Sequence, residues 1–274
     1  ARHAMRNLGH EFRKLLAQKR TYLGWAGLLA IPVLMVLALY LSNSNPHGED
    51  EGPPFLDQVL SNGMFVPLSA IAVLSFFLLP MLASMAGAYP IAGEAEQGTM
   101  KTWLSRPVSR TTVLLSKWGV AIIYVIIGML LVWGGGLLAG GLVFGLRPLV
   151  TLSGTTVSIA HGLWLTFLVY GLILLAMVCV ISLAALVSTF TNSSLTAAIV
   201  AMVIFIVLSI LNGFSYFDFM KPYTFTAYSS AFLDLFRDPI YWPPIRDAVL
   251  TYVATIAGVT LLAWYIFRRR DILT

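Results

Sequence analysis

His10 and Glu11 open the pattern of a zinc-protease helix, in which two histidines four residues apart hold the metal and the glutamate acts as general base. The position that needs the second histidine is Lys14, so the pattern fails. His3, His47 and His161 lie apart, near ends and loops. The sole cysteine, Cys179, is set in an apolar run and reads as a small packing residue; one cysteine excludes an intrachain disulfide and a cysteine-based metal cluster. The sequence has no GxSxG nucleophile elbow and no phosphate-binding loop, since Gly134, Gly135, Gly136, Gly140 and Gly141 are followed by no Lys-Ser or Lys-Thr pair. Catalysis and ATP hydrolysis are therefore not expected of this chain.

One polar stretch has the residues to grip a partner. It runs Gly93-Glu94-Ala95-Glu96-Gln97-Gly98-Thr99-Met100-Lys101-Thr102-Trp103-Leu104-Ser105-Arg106-Pro107-Val108-Ser109-Arg110 and on to Lys117. Two carboxylates beside Met100, Trp103 and Leu104 suit a short helix that a soluble protein could hold, and an ordinary solvent-facing loop has the same composition. Pro107 ends the first piece, and Ser109 is placed to cap the helix that follows.

The elements around this stretch are apolar. Of the 274 residues 58% are hydrophobic and 11% charged, against about 25% charged in a soluble domain. The mean hydropathy is +0.85. Apolar runs of about twenty residues match a hydrocarbon layer of roughly 30 Å at 1.5 Å per residue. They do not alternate as barrel strands would, so helices must satisfy the backbone. Spans are expected at Tyr22–Leu41, Phe65–Tyr89, Val113–Leu138, Gly162–Val187, Ser194–Phe214 and Ala248–Phe267, giving an all-α polytopic membrane protein of six helices. The first run lacks a cleavage signature and is expected to stay in the mature chain.

An N-terminus on the cytoplasmic side places 13 of the 17 Lys and Arg inside, which satisfies the positive-inside rule and sets both termini in the cytoplasm of a multi-pass cell-membrane protein. The net charge of +5 then belongs to a membrane surface rather than to nucleic acid. Residues 1–21 form a separate unit: Leu8, Phe12, Leu15 and Leu16 share one helical arc, with Arg6, Arg13, Lys14 and Arg20 pointing away, as in a helix lying along the inner leaflet. It serves as a topology-setting flank, an elbow that touches a partner, or both. Within residues 22–274, Pro32, Pro67, Pro80 and Pro90 should bend the first two spans. The Gly136/Gly140 and Gly141/Gly145 pairs should allow close helix contact. Residues 215–247 form an outer region of mixed aromatics and charges, either short helices capping a pathway or an aromatic belt. The spans as assigned carry no Asp, Glu, Lys, Arg or His near their centres, which argues against a proton- or sodium-coupled carrier.

The stretch after the second span resembles that of the ABC-2 type transporter permeases, including the subgroup linked to bacitracin-type and lantibiotic export and immunity. Their pattern is Glu-x-Glu-x-Gly-Thr, then Leu, then Pro-Val-Ser-Arg, then Lys; here it reads Glu94-x-Glu96-x-Gly98-Thr99, Leu104, Pro107-Val108-Ser109-Arg110 and Lys117. The likeness covers this loop by residues and the whole chain by layout. It implies an ABC-2 (type V) exporter-like fold with an amphipathic elbow, two permease copies or a copy with a close homologue, and two copies of a separate ABC ATPase. It further implies that residues 93–117 hold the coupling helix, with Glu94, Glu96, Gly98, Thr99, Met100, Trp103, Leu104, Pro107 and Arg110 forming or supporting it, and that the turn Ser188–Ser194, uncharged in itself, is a smaller second contact. ATP and magnesium would sit on the partner. The expected activity is export or extraction of an amphipathic or hydrophobic molecule, such as a peptide antibiotic or lipid. The alternatives are a membrane-embedded enzyme or a secondary carrier working without an ATPase.

Overall fold

Apolar runs of this length leave the backbone no partner but itself, and the computed structural model of the chain is almost wholly helical. It describes residues 2–43, 62–96, 110–151 and 153–269, with the side chains of 2–7, 42, 43, 110 and 269 left out of the description. The amphipathic α1 (Arg2–Leu16) leads into α2 (Lys19–Asn43). Next come α3 (Phe65–Phe76), α4 (Leu78–Ala88), a π-helical segment (Tyr89–Gly93) and a single turn (Glu94–Glu96). The long α5 (Arg110–Phe144) is followed by a small antiparallel pair, β1 (Leu149–Val150) with β2 (Thr156–Val157), then α6 (Ile159–Ser188) and α7 (Ser194–Leu211). Three 3-10 turns (Ser215–Tyr223, Phe225–Tyr228, Ala231–Phe236) precede α8 (Trp242–Arg269). Among the described residues five helices are long and apolar enough to cross a membrane, and six if the bent pair Phe65–Phe76 and Leu78–Glu96 is one span.

The second span bends, as its prolines suggest, by 60°. Pro80 has no N–H to offer the carbonyl of Phe76, and its ring crowds that carbonyl. The break falls beside it, at Phe77, whose φ of −140° and ψ of −55° are not helical. Pro90 likewise deprives Ala86 of a donor, and the chain there adopts the wider π turn rather than a second break. Pro32 sits inside α2 without interrupting it, and Pro67 falls in the first turn of α3, where a missing donor costs little.

Helix α6 is apolar on all faces and forms the centre; 61% of its most apolar stretch is buried, against 11% for α8. Around it pack α4, α7, α8 and α5, while α5 also carries α1, α2 and α3. Polar side chains join the helices at intervals: Trp25 donates to the Tyr124 carbonyl (3.1 Å), Tyr170 to the Pro67 carbonyl (2.8 Å) and Trp133 to Thr166 Oγ1 (3.1 Å). Such bonds hold helices together where lipid supplies no hydrophobic drive. The glycine stripe of α5 is used within the chain. A Cβ on Gly140 would lie 2.5 Å from the Gly63 carbonyl oxygen, and one on Gly136 would lie 2.9 Å from Pro67 Cα. Asn62 fastens the same end, its amide donating to the Arg147 carbonyl (2.9 Å) while its oxygen accepts from the Arg147 N–H (3.2 Å).

At that end of the bundle the 3-10 turns bury Phe225, Leu235 and Phe236 while leaving Tyr216, Phe219 and Tyr223 exposed. Asn212, at the end of α7, holds them by donating to Thr226 Oγ1 (2.6 Å) and accepting from Thr224 Oγ1 (2.9 Å). Residues 215–236 thus form three short 3-10 turns packed onto the bundle.

The glycine contacts set a stability test. Gly140→Ala must push α5 away from a backbone carbonyl, at a cost of about 1–3 kcal/mol, and should lower the thermal unfolding midpoint in detergent. A Cβ at Gly134 meets nothing within 4 Å, so Gly134→Ala should leave the midpoint unchanged or raise it.

Candidate functional site

The end of the bundle that carries α1, called here the elbow face, gathers the charges the apolar helices exclude. Glu11 and Lys14 are three residues apart on α1 and share a side of it. Glu94 begins the single turn that closes the second span, and Lys117 lies two turns into α5. Lys117 Nζ sits 2.6 Å from Glu94 Oε2 and 3.4 Å from Glu11 Oε1, and Lys14 Nζ pairs with Glu94 Oε1. Glu94 and Lys117 keep 3% and 1% of their surface exposed and Glu11 6%. Among the described residues two carboxylates and two ammonium groups therefore form one chain of ion pairs, three of its members nearly free of solvent.

That arrangement is a constraint on three elements at once. Removing an ion from water costs several kcal/mol even after the protein relaxes, and only close partners offset it. Glu94 cannot leave Lys117, nor Lys117 leave Glu11, without stranding a buried charge. The end of the second span, the start of α5 and the elbow are held in one geometry.

Glu96 makes the next link. It is exposed, and its Oε2 accepts from the N–H (3.3 Å) and hydroxyl (2.9 Å) of Ser194. Ser194 opens α7, where unpaired N–H groups and the positive end of the helix dipole favour a carboxylate. Ser193, the N-cap, accepts from the Thr196 N–H (3.3 Å). The turn at Ser188–Ser194 has no charge of its own and receives one from Glu96. Trp264 of α8 donates to Thr111 Oγ1 of α5 (2.8 Å), and Phe267 packs with Ile91, Leu114 and Ala185. Elements from both halves of the chain meet within the few residues that flank segment 97–109.

The residues picked from sequence fall as follows. The expectation that both carboxylates lie on an accessible surface holds for Glu96 and is corrected for Glu94, which Lys117 and Lys14 draw inward. Gly98, Thr99, Met100, Trp103, Leu104 and Pro107 lie outside the described residues. Arg110 opens α5, one residue past the cap expected at Ser109, and its side chain is likewise outside the description. Of the elbow residues, Leu8 lies against Gly119, where a Cβ would come 3.0 Å from Leu8 Cδ1. Leu15 and Leu16 pack against the core, and Phe12 is half-buried. The apolar face of α1 is thus spent partly on α5. Lys14, expected to point away from that face, reaches back to Glu94. Glu11 and Lys117 were not among the candidates, although a lysine four residues inside an expected span and the lone acid of a basic helix were both legible signs of a buried pair.

Comparison with known families agrees with this layout. The family model described as ABC-2 family transporter protein matches residues 7–272, nearly the whole chain. No curated protein gives a significant match.

The ion chain makes a coupling prediction. Glu94→Ala and Lys117→Ala should each destabilise the chain by about 3–5 kcal/mol, and the double variant should cost clearly less than the sum, as unfolding in detergent will read. Additive losses would mean the two groups do not depend on each other. Glu96→Ala removes an exposed link and should cost no more than about 1 kcal/mol.

Proposed function

The chain belongs to the ABC-2 family of transporters, and from that premise we propose that it is the membrane subunit of an ATP-driven transporter whose ATPase is a separate polypeptide. The stretch 93–117 holds the docking element and lies on the cytoplasmic side with both termini. The observation that carries this reading is the anchoring of its described residues: Glu94 is tied to α1 and α5, Glu96 to α7, and Arg110 opens α5. A push on a free loop dissipates in the loop. A push on a segment rooted in four helices rotates them together.

The division of labour follows from what the chain lacks. Its sequence offers no phosphate-binding loop, so ATP and magnesium belong to the partner, while Glu94 and Lys117 act as positioning residues that fix where the docking element leaves the bundle. Two permease copies and two ATPase subunits form the working unit. Closure of the ATPases rocks the bundles about helices that are already bent at Phe77. The described spans carry no Asp, Glu, Lys, Arg or His near their centres, so the cargo is recognised by apolar and aromatic contact. An amphipathic or hydrophobic molecule, exported or drawn out of the bilayer, fits such a path.

Co-expression with the ATPase encoded beside it, followed by affinity capture of this chain, should recover both proteins. Arg110→Glu with Glu96→Ala should leave membrane insertion intact and lower permease-dependent ATP hydrolysis at least severalfold. Recovery of this chain free of any ATPase in a transport-competent preparation would refute the proposal.

A further inference from the structure

Beside the ion chain lies a cavity of about 150 Å³, enclosed by α1, α2, α4, the π segment and α5 and open to its surroundings. Its walls change character with depth. Lys14, Gln18 and Arg20 stand at one end, and Leu82, Met85 and Ala86 continue from there along α4. Arg20 falls in the first turn of α2, where that helix leaves α1 and enters the apolar layer, which is the depth of lipid headgroups.

The two carboxylates that line the cavity are already engaged. Glu11 and Glu94 pair with Lys14 and Lys117 within the ion chain, and Arg20, which lines the same cavity, stands outside that chain. Among the described residues Arg20 meets no carboxylate. Its Nε and Nη2 donate to Gln18 Oε1 (2.9 and 2.7 Å), and its guanidinium stacks on the Tyr89 ring, 3.0 Å from the centroid. Those contacts hold the group in place and leave further N–H donors of its five unused. A fixed guanidinium with spare donors suits a phosphate.

We propose that this cavity is a binding site for one anionic phospholipid of the leaflet on which α1 lies, its phosphate on Arg20 and the start of an acyl chain along Leu82, Met85 and Ala86. A space of about 150 Å³ holds a body the size of benzene, enough for the first methylenes below the headgroup, and the rest of the lipid extends through the open side. Basic pockets between membrane helices take anionic headgroups by this combination of charge and apolar wall. Because Tyr89 belongs to the π segment that leads into Glu94, an occupied site would also brace the junction at which the docking element begins. The inference rests on the membrane placement of α1 and is independent of the ATPase reading.

The full chain, purified without its partner and exchanged into nanodiscs of phosphatidylglycerol or phosphatidylcholine, tests this by native mass spectrometry after release into mild detergent. One phosphatidylglycerol should stay bound, in preference to phosphatidylcholine. Arg20→Gln should reduce its retention about fivefold, and Met85→Trp, which fills the apolar wall without touching charge, should reduce it as well. Soluble glycerol 3-phosphate should not displace it. Equal retention by the wild-type chain and both variants would overturn the site, and displacement by glycerol 3-phosphate would show a plain anion site and overturn the lipid assignment.

Discussion

Glu94 and Lys117 are opposite charges removed almost completely from solvent at the rim of an apolar bundle. A hydrophobic pair could fill the same space at no electrostatic cost. What an ion pair adds is register, because it tolerates no sliding of one helix along the other without exposing an unmatched charge. Here the pair joins the end of the second span to the start of the third, and Glu11 and Lys14 extend it to the elbow. The geometry of the elbow face follows from this constraint. Helix α5, about 52 Å long at 1.5 Å per residue, is longer than roughly 30 Å of hydrocarbon requires, so its first turns can carry Lys117 at the rim.

The two ends of the bundle are built differently. At the elbow face the contacts are charges and helix termini, strong and directional. At the opposite end they are close backbone approaches, Gly140 against Gly63, together with the amide of Asn62 and the aromatic 3-10 turns. Between them the second span is bent at Phe77. A helix pinned firmly at one end, packed by shape at the other and broken between them can change angle without losing its anchors. This is the mechanical property that transport by alternating exposure needs.

Much of this was legible in the residues. The span count followed from the length of the apolar runs, and the bend from Pro80, whose missing donor belongs to Phe76. Glycine spacing in the third span announced close packing, though not that its partner would be Gly63 and Pro67 of the same chain. The loop motif pointed to the family. The burial of Glu94 was not legible, because a carboxylate in a polar stretch looks solvent-exposed until the lysine opposite it is known. Lys117 stands 23 residues further on, and Glu11 lies on a helix whose apolar arc suggested contact with the inner leaflet or a partner protein rather than with the third span. Long-range pairing of charges has no periodicity, so a lysine inside an expected span or a lone acid on a basic helix signals a buried charge without naming its partner.

We propose that the stretch between the second and third spans meets a nucleotide-hydrolysing subunit on the cytoplasmic side. Photocrosslinking from a p-benzoylphenylalanine placed at the exposed position of Glu96, in membranes that hold the ATPase, addresses it most directly. A product with the combined mass of the two chains, whose yield changes on addition of ATP, is the predicted result. Absence of any such product from a complex that is hydrolysing ATP would refute docking at this stretch.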